Sequence, residues 1–328
     1  MSASNFDLRR LRYFIKVAEL GSLTHAAKVL HIAQPALSQH MQSIEDELGL
    51  QLLERGPRGV RLTEAGQRLA IEARDLLEGV RAMVDRVKGA ASEPEGEVVL
   101  GVAQTIGSLL VAPLLELAAT RIPRVRIHIR ELMSGHLSEL VRARAVDFAL
   151  SYNTASGEGV DVTTVVSEEV CLVGQHQLLR QHLGKVDAAA GVKFQDLQKV
   201  PLYLSRRSNV LRETIEQLAL SEGATLNIRA EVDSYYLMKE LVLGGIGCSV
   251  FSRAALHREA RHRDLGILRI VEPVVPREIC LLRRNGQILQ RGARELAALS
   301  VELLGSLVEA RVWPGPLRLL PHDIRKTF

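Results

Sequence analysis

Side chains with the chemistry to read DNA bases recur along residues 34–45. The apolar residues of this stretch fall at helical spacing, which predicts a helix that buries one face. Its other face carries Gln34, Ser38, Gln39 and Gln42, with Ala36 between them. Amide groups both donate and accept hydrogen bonds toward base edges, and the stretch has no carboxylate before Ser43 that phosphates would repel. For an isolated helix, an ordinary solvated face explains the same residues.

The segment before this helix favours the DNA-binding interpretation. Residues 21–30 predict a short helix whose small Ala26-Ala27 pair would let another helix cross closely, and residues 31–33 form a short connection. Two short helices joined in this way are a helix-turn-helix unit, whose second helix lies in the major groove. A proline suits the first turn of that second helix because its missing N–H group costs nothing there. We therefore assign to DNA contact Thr24, Gln34, Pro35, Ala36, Ser38, Gln39 and Gln42.

Residues 51–62 predict two short strands around the turn Gly56-Pro57-Arg58-Gly59, an arrangement typical of a wing. Arg55, Arg58 and Arg61 lie within seven residues of one another, and local basic clusters of this kind bind phosphate. We assign Arg55 and Arg58 to contacts with the DNA backbone or the minor groove. A surface hairpin without a role in DNA binding is the alternative.

The residues from Ala26 to Gly49 resemble the LysR-type transcriptional regulators, whose first domain has the pattern A-A-x-x-L-x-x-x-Q-P-A-L-S-x-Q-I-x-x-L-E-x-x-L-G. His40 departs from this pattern, since the family usually has Gln there, and Leu53 stands where Phe is usual. The resemblance implies a sequence-specific regulator that binds double-stranded DNA and contacts RNA polymerase. The first 66 residues look most like the nitrogen assimilation control branch, and that closer resemblance implies regulation without a small-molecule coinducer.

A long helix is predicted after the wing, because residues 64–88 contain no proline and repeat apolar residues at spacings of four and three. The repeated residues are Leu69, Ala73, Leu76, Val80, Met83 and Val87. A heptad stripe on such a helix calls for a partner, so we interpret it as a linker that joins two copies of the chain, within a dimer or a tetramer. Packing against the protein's own second domain is the alternative.

The second half of the chain alternates predicted strands and helices, which is typical of βαβ units with a mainly parallel sheet. The resemblance adds two lobes similar to those of periplasmic binding proteins, with crossings near Val160 and Leu268. We therefore predict an α+β multidomain chain. Its parts are a winged helix-turn-helix domain (residues 1–62), a linker helix (63–89), a two-lobed α/β effector domain (90–312) and an irregular tail (313–328). Lobe I takes residues 92–160 and 269–312, and lobe II residues 161–268.

Polar residues at four predicted strand–helix junctions indicate a ligand cleft in this domain. Ligands of α/β sheets collect at the carboxyl ends of strands beside helix N-termini, where N–H groups and hydroxyls hold anions. An arginine there could bind a carboxylate with two hydrogen bonds. Helix caps are the alternative role for the hydroxyls. The candidate residues for a small anionic effector are Gln104, Thr105, Ser134, Gly135, Ser205, Arg206, Arg207 and Gly247.

Composition and missing motifs exclude other classes of protein. The 328 residues have a formal net charge of +4, and the three cysteines, far apart in sequence, predict buried thiols in a reducing cytoplasm rather than disulfides. The uncharged stretch of residues 98–115 is interrupted by glycine and proline, which argues against a membrane span. A solute-binding protein would need an export signal that the start lacks, and an enzyme would need a catalytic motif. We find no P-loop, HExxH or G-x-S-x-G, and we predict no cofactor and no metal.

Overall fold

The protein is described here by a computed structural model that covers residues 7–56, 59–88, 93–152, 159–185, 187, 189–259, 262–310, 312–313 and 317–319. The chain divides into two units, Met1–Ser92 and Glu93–Phe328. Each unit has its own hydrophobic core, and each is considered separately below.

The first unit is a winged helix-turn-helix followed by a long helix. Its elements are α1 (Leu8–Leu20), α2 (Leu23–Val29), α3 (Gln34–Leu48), the antiparallel strands β1 (Leu53–Gly56) and β2 (Gly59–Leu62), and α4 (Glu64–Lys88). Gly49 ends α3 in the left-handed conformation, which glycine adopts without strain. The Thr63 hydroxyl accepts a hydrogen bond from the Gly66 N–H group at 3.0 Å and so caps α4.

The wing is fastened to the turn between α1 and α2. The Val60 N–H group donates a hydrogen bond to the Gly21 carbonyl oxygen at 2.8 Å. Gly59 has a φ of +112°, and a Cβ atom on it would lie 2.3 Å from the same oxygen. Position 59 therefore requires glycine, both for its backbone conformation and for this close approach.

The second unit is built around a mixed sheet with strand order β4-β3-β5-β12-β6-β11-β7. The chain order of its first part is β3 (Glu95–Ala103), α5 (Gln104–Arg121), β4 (Arg124–Leu132), α6 (Ser134–Arg142), β5 (Phe148–Tyr152) and β6 (Val160–Gln175). Then follow α7 (His176–Leu183), β7 (Val192–Lys193), β8 (Leu202–Leu204), α8 (Val210–Ser221), β9 (Ile228–Glu231), α9 (Tyr235–Leu243) and β10 (Ser249–Ser252). The last elements are β11 (Leu265–Val271), β12 (Pro276–Arg284), α10 (Arg291–Glu309) and β13 (Leu317–Leu319).

This unit has the two lobes that the resemblance implied, each with its own core. Strand β6 passes from one core to the other, since Val166 belongs to the lobe I core and Val170 to the lobe II core. The return passage lies between Val275 and Ile279, at the start of β12. Both passages come later in the chain than the expected crossings near Val160 and Leu268.

Within the predicted irregular tail, the structure describes Trp313, which is 1% exposed, and Leu317–Leu319, which form β13 and pair with β6. Cys171, Cys248 and Cys280 are buried, as predicted. Burial raises the pKa of the Cys171 thiol to about 11 and that of the Cys248 thiol to about 12. Among the helices that the structure describes, we find none with the length and apolar character to cross a membrane.

Candidate DNA-binding surface and ligand pocket

Helix α3 presents the polar face that its sequence predicted. Leu37, Met41 and Ile44 are buried in the core of the first unit. On the opposite side Gln34, Pro35, Gln39 and Gln42 are exposed, while Ala36 and Ser38 are half-buried. Thr24, at the start of α2, is exposed too. These residues can meet a DNA groove without any change in the core.

The wing lies against this helix and extends its polar surface. Arg55 Nη1 donates a hydrogen bond to Ser38 Oγ at 3.1 Å, so the arginine predicted for phosphate contact lies beside the base-reading face. Gln42 Nε2 donates to Asp46 Oδ1 at 3.0 Å, which leaves the amide oxygen of Gln42 as its available acceptor. Arg58 lies outside the described residues. Its assignment to DNA contact stays a prediction.

Glu45 is a functional residue that our sequence analysis did not single out. Its Oε1 atom accepts hydrogen bonds from the N–H groups of Leu52 at 2.8 Å and Leu53 at 3.0 Å. The carboxylate thus joins the end of α3 to the start of the wing. The L-E pair of the family pattern, here Ile44-Glu45, was the available signal.

We expect Glu45→Ala to lower the free energy of unfolding of the first unit by about 2–4 kcal/mol, because two backbone donors lose a charged acceptor. Calorimetry of the full chain and amide exchange at Leu52 and Leu53 would measure the loss. Asp46→Ala is the matched control, since its exposed carboxylate bonds only Gln42 among the described contacts. Equal effects of the two changes would contradict the role given to Glu45.

The apolar stripe on α4 has two uses. Ala73 is buried against α1 beside Leu11 and Ile15, which takes it out of the predicted dimer contact, whereas Leu69 packs there only in part and its assignment stays a prediction. The rest of the stripe is more accessible. Val80 is half-buried, Leu76 and Met83 are each 50% exposed, and Val87 is 83% exposed.

A pocket opens between the lobes of the second unit. The candidates Gln104, Thr105, Ser134 and Ser205 line it. Helices α5 and α6 begin at this pocket, and their N-cap residues, Ala103 and Met133, make no side-chain cap hydrogen bond. The first N–H groups of both helices are therefore open to a polar ligand atom.

The other four candidates are not among the pocket-lining residues. Arg206 pairs with Asp233 at 2.5 Å and Arg207 with Glu216 at 2.9 Å, and both arginines point largely to solvent. A Cβ atom on Gly135 would lie 2.0 Å from the Ser208 carbonyl oxygen, where the two lobes meet. A Cβ atom on Gly247 would lie 2.2 Å from the Tyr203 ring. These two glycines serve close packing.

Two buried arginines that the sequence analysis missed line the pocket instead. Arg212 donates to the Ser205 carbonyl oxygen at 3.0 Å and to Glu216 at 2.7 Å. Arg277 lies over the ring of Tyr152, 3.5 Å from its centroid, with Nη1 3.9 Å from Glu168 Oε1. Burial raises the pKa of the Glu168 carboxyl, and the charge of Arg277 opposes that shift. The spacing of four residues between Arg212 and Glu216 on α8 was a signal that could have been read, whereas no local pattern connects Arg277 with Glu168.

The two units match two established domain families. The bacterial regulatory helix-turn-helix protein, lysR family, matches residues 8–67, and the LysR substrate binding domain matches residues 91–305. The chain therefore belongs to the LysR family, and it is a DNA-binding transcriptional regulator with a separate effector-binding domain.

The chain is also similar to individual members of the family and to solved structures. The chain is 32% identical over 250 residues to the nitrogen assimilation regulatory protein nac of Klebsiella aerogenes, a match that covers 76% of this chain and 79% of the relative. This similarity supports the predicted resemblance to that branch. Among solved structures, a full-length OxyR variant from Pseudomonas aeruginosa shares the fold, with a TM-score of 0.71, 20% identity and coverage of 91% and 94%. Full-length CbnR in complex with its target DNA gives a TM-score of 0.57, 25% identity and coverage of 92% and 99%.

Proposed function

We propose that α3 enters the major groove and that Gln34, Gln39 and Gln42 contact base edges there. The observation that supports this assignment most strongly is the exposed amide-rich face of α3, to which Arg55 and Glu45 fasten the wing. A rigid pair of helix and wing can read bases and hold the backbone together. The solved complex of CbnR with its target DNA supports the same use of this domain. The chain acts on its promoter in the cytoplasm, as a regulator rather than an enzyme.

The exposed part of the α4 stripe joins two copies of the chain. Leu76, Met83 and Val87 expose apolar surface along one side of the helix, and burying it against a second copy removes that surface from water. Two linked copies place two α3 helices on one operator, which raises affinity through effective concentration. A tetramer would need further contacts between effector domains.

The pocket binds a small anionic effector, which shifts the activity of the regulator and its contact with RNA polymerase. The two open helix N-termini at Gln104 and Ser134 and the guanidinium of Arg277 are the groups that support an anion. A second candidate is regulation without a small-molecule coinducer. The pairing of Arg277 with Glu168 and of Arg212 with Glu216 favours it, because each cation already has a carboxylate partner.

Replacing Gln34 with Ala should weaken binding to the cognate operator by about 1–3 kcal/mol and leave binding to random DNA nearly unchanged, because a base contact is lost and no phosphate contact is. The operator comes from genome-wide mapping of bound DNA, and titrations at several salt concentrations measure both affinities. Gln67→Ala, an exposed glutamine on α4, is the control. Equal losses on both kinds of DNA would remove Gln34 from the base-reading face.

A further inference from the structure

The described part of the C-terminal segment includes a buried residue, Trp313. Trp313, which is the single tryptophan of the chain, is 1% exposed. Its indole Nε1 donates a hydrogen bond to Glu168 Oε2 at 2.9 Å, and its backbone N–H group donates to the Leu307 carbonyl oxygen at 2.9 Å. Strand β13 then pairs with β6 at Val166–Glu168. Trp313 and β13 lie beyond residue 305, where the match to the LysR substrate binding domain ends, while their partners on β6 lie within it.

Glu168 lies on β6 between two neighbouring strands, β12 and β13. It lies on β6 where that strand passes from the lobe I core to the lobe II core. In the strand register it is opposite Arg277 of β12 on one side and Leu317 of β13 on the other. The carboxylate therefore stands between the C-terminal segment and the return strand of the two-lobed fold.

The two oxygens of this carboxylate have different neighbours. Oε2 accepts the indole hydrogen bond, whereas Oε1 faces Arg277 Nη1 at 3.9 Å, which is too long for a hydrogen bond. The terminal torsion of a glutamate side chain is soft, so the orientation of its carboxylate depends on such partners. The indole N–H group, together with the Ser252 and Tyr152 hydroxyls that also hydrogen-bond this carboxylate, therefore orients Oε1 toward the guanidinium.

Arg277 in turn belongs to the pocket. Its guanidinium and the Tyr152 ring beneath it both line the cavity between the lobes. Contacts therefore run without a break from Trp313 through Glu168 and Arg277 to Tyr152. The Arg277 guanidinium is buried and lies over a ring, so it has little freedom to move. A change in the orientation or charge of Glu168 therefore changes the position of the cation that lines the pocket.

We propose that Trp313 is a positioning residue of the ligand pocket, which acts through Glu168 to hold Arg277 in place over Tyr152. The C-terminal segment thereby determines whether Arg277 is held in the position needed for ligand binding. This role rests on the proposed function of the pocket as the effector site, and it adds a part of the chain that lies outside the matched family domain.

Protonation of Glu168 gives this role a pH signature. Burial raises the pKa of the Glu168 carboxyl, while the charge of Arg277 and the indole hydrogen bond lower it. Loss of the indole N–H group removes one of the interactions that lower the pKa of Glu168. The carboxyl therefore becomes protonated at a higher pH, where it also loses its charge attraction to Arg277. The polar and titratable groups that face Glu168 from the packed elements are Tyr152, Ser252, Tyr235, Cys171, Arg277 and Trp313.

Amide exchange of the full chain, followed by mass spectrometry, tests the proposal without DNA or effector, so its outcome is independent of the proposed function. Trp313→Phe keeps an aromatic ring but loses the indole N–H group and part of the buried ring volume, so the pH dependence described below is needed to separate the lost hydrogen bond from the lost packing. We expect it to raise exchange in β12 and β5 about tenfold near neutral pH, with Glu168→Gln acting on the same strands. Val312→Ala, at an exposed neighbour, is the matched control and should leave both strands unchanged.

The difference between Trp313→Phe and the wild-type chain should shrink as the pH is lowered through the raised pKa of Glu168, because the carboxyl then becomes protonated in both. Trp313 emission gives a second readout, which is compared only between the wild-type chain and Glu168→Gln because both retain the single tryptophan. It should titrate with pH in the wild-type chain and lose that titration in Glu168→Gln. Faster exchange confined to residues 166–168 and 317–319, a difference independent of pH, or an unchanged titration in Glu168→Gln would each overturn the proposal.

Discussion

Replacing Leu76 with Asp should separate the two copies of the proposed dimer. The variant should then bind DNA with two half-sites no more tightly than DNA with one half-site. Leu76 is 50% exposed on α4 and lies near the centre of the stripe. Burying a leucine stabilises by about 1.5–3 kcal/mol, and a symmetric dimer contains the residue twice. The change also introduces two carboxylates where apolar surface meets. We therefore expect a loss of about 4 kcal/mol or more, which corresponds to roughly a thousandfold weaker association.

Ile71→Asp is the matched control for this experiment. Ile71 is 46% exposed on the same helix, but it lies five residues from Leu76 and therefore on a different face. Sedimentation analysis reports the mass of each variant, and titration of DNA with one or two half-sites reports the linkage. If Leu76→Asp retains the wild-type preference for two half-sites, the exposed part of the α4 stripe is not the dimer contact.

Arg277→Met should lower the free energy of unfolding of the second unit by about 3–5 kcal/mol near neutral pH, because it leaves the Glu168 charge buried without its cation. Glu168 is 3% exposed and Arg277 is 7% exposed, so solvent screens this pair little. Arg206→Met is the control. Its pair with Asp233 is largely exposed, and surface pairs contribute at most about 1 kcal/mol. Chemical denaturation of the full chain measures both changes.

The pH dependence of this loss has a definite sign. Without Arg277, burial holds the pKa of Glu168 further above its ordinary value of 4.5, so the folded form binds a proton more tightly than the unfolded chain does. Stability of the variant relative to the wild type therefore increases as the pH falls through that raised pKa. A loss that stays constant from neutral to acidic pH would show that packing, rather than the buried charge, causes it.

Features fixed by neighbouring residues were predictable from the sequence. The helix-turn-helix, the Gly49 end of α3 and the Thr63 cap depend on side chains within a few residues of one another, and periodicity shows them directly. The hydrophobic stripe of α4 was visible for the same reason. The sequence did not show that Ala73 packs within its own unit, because that contact is visible only in the packing of α1 against α4.

Features formed by residues that are far apart in sequence could not be predicted from it. Trp313 is 145 residues from Glu168, and no local spacing connects them. The same holds for Arg277, which reaches the pocket only through the sheet register of β6 and β12. Arg206 and Arg207 looked suitable for an anion because they follow a strand, but each of them has an acidic partner that the sequence pattern could not show.

The buried cysteines also determine how the protein reacts with thiol reagents. A thiol reacts through its thiolate, and the raised pKa values of about 11 for Cys171 and about 12 for Cys248 leave both side chains almost entirely in the thiol form near neutral pH. An exposed cysteine has a pKa of about 8.5, so about a tenth of it is thiolate at about pH 7.5. A cysteine introduced at an exposed position would therefore take up a maleimide dye far faster than Cys171 or Cys248. Distances between labelled copies could then be measured with those two native residues left in place.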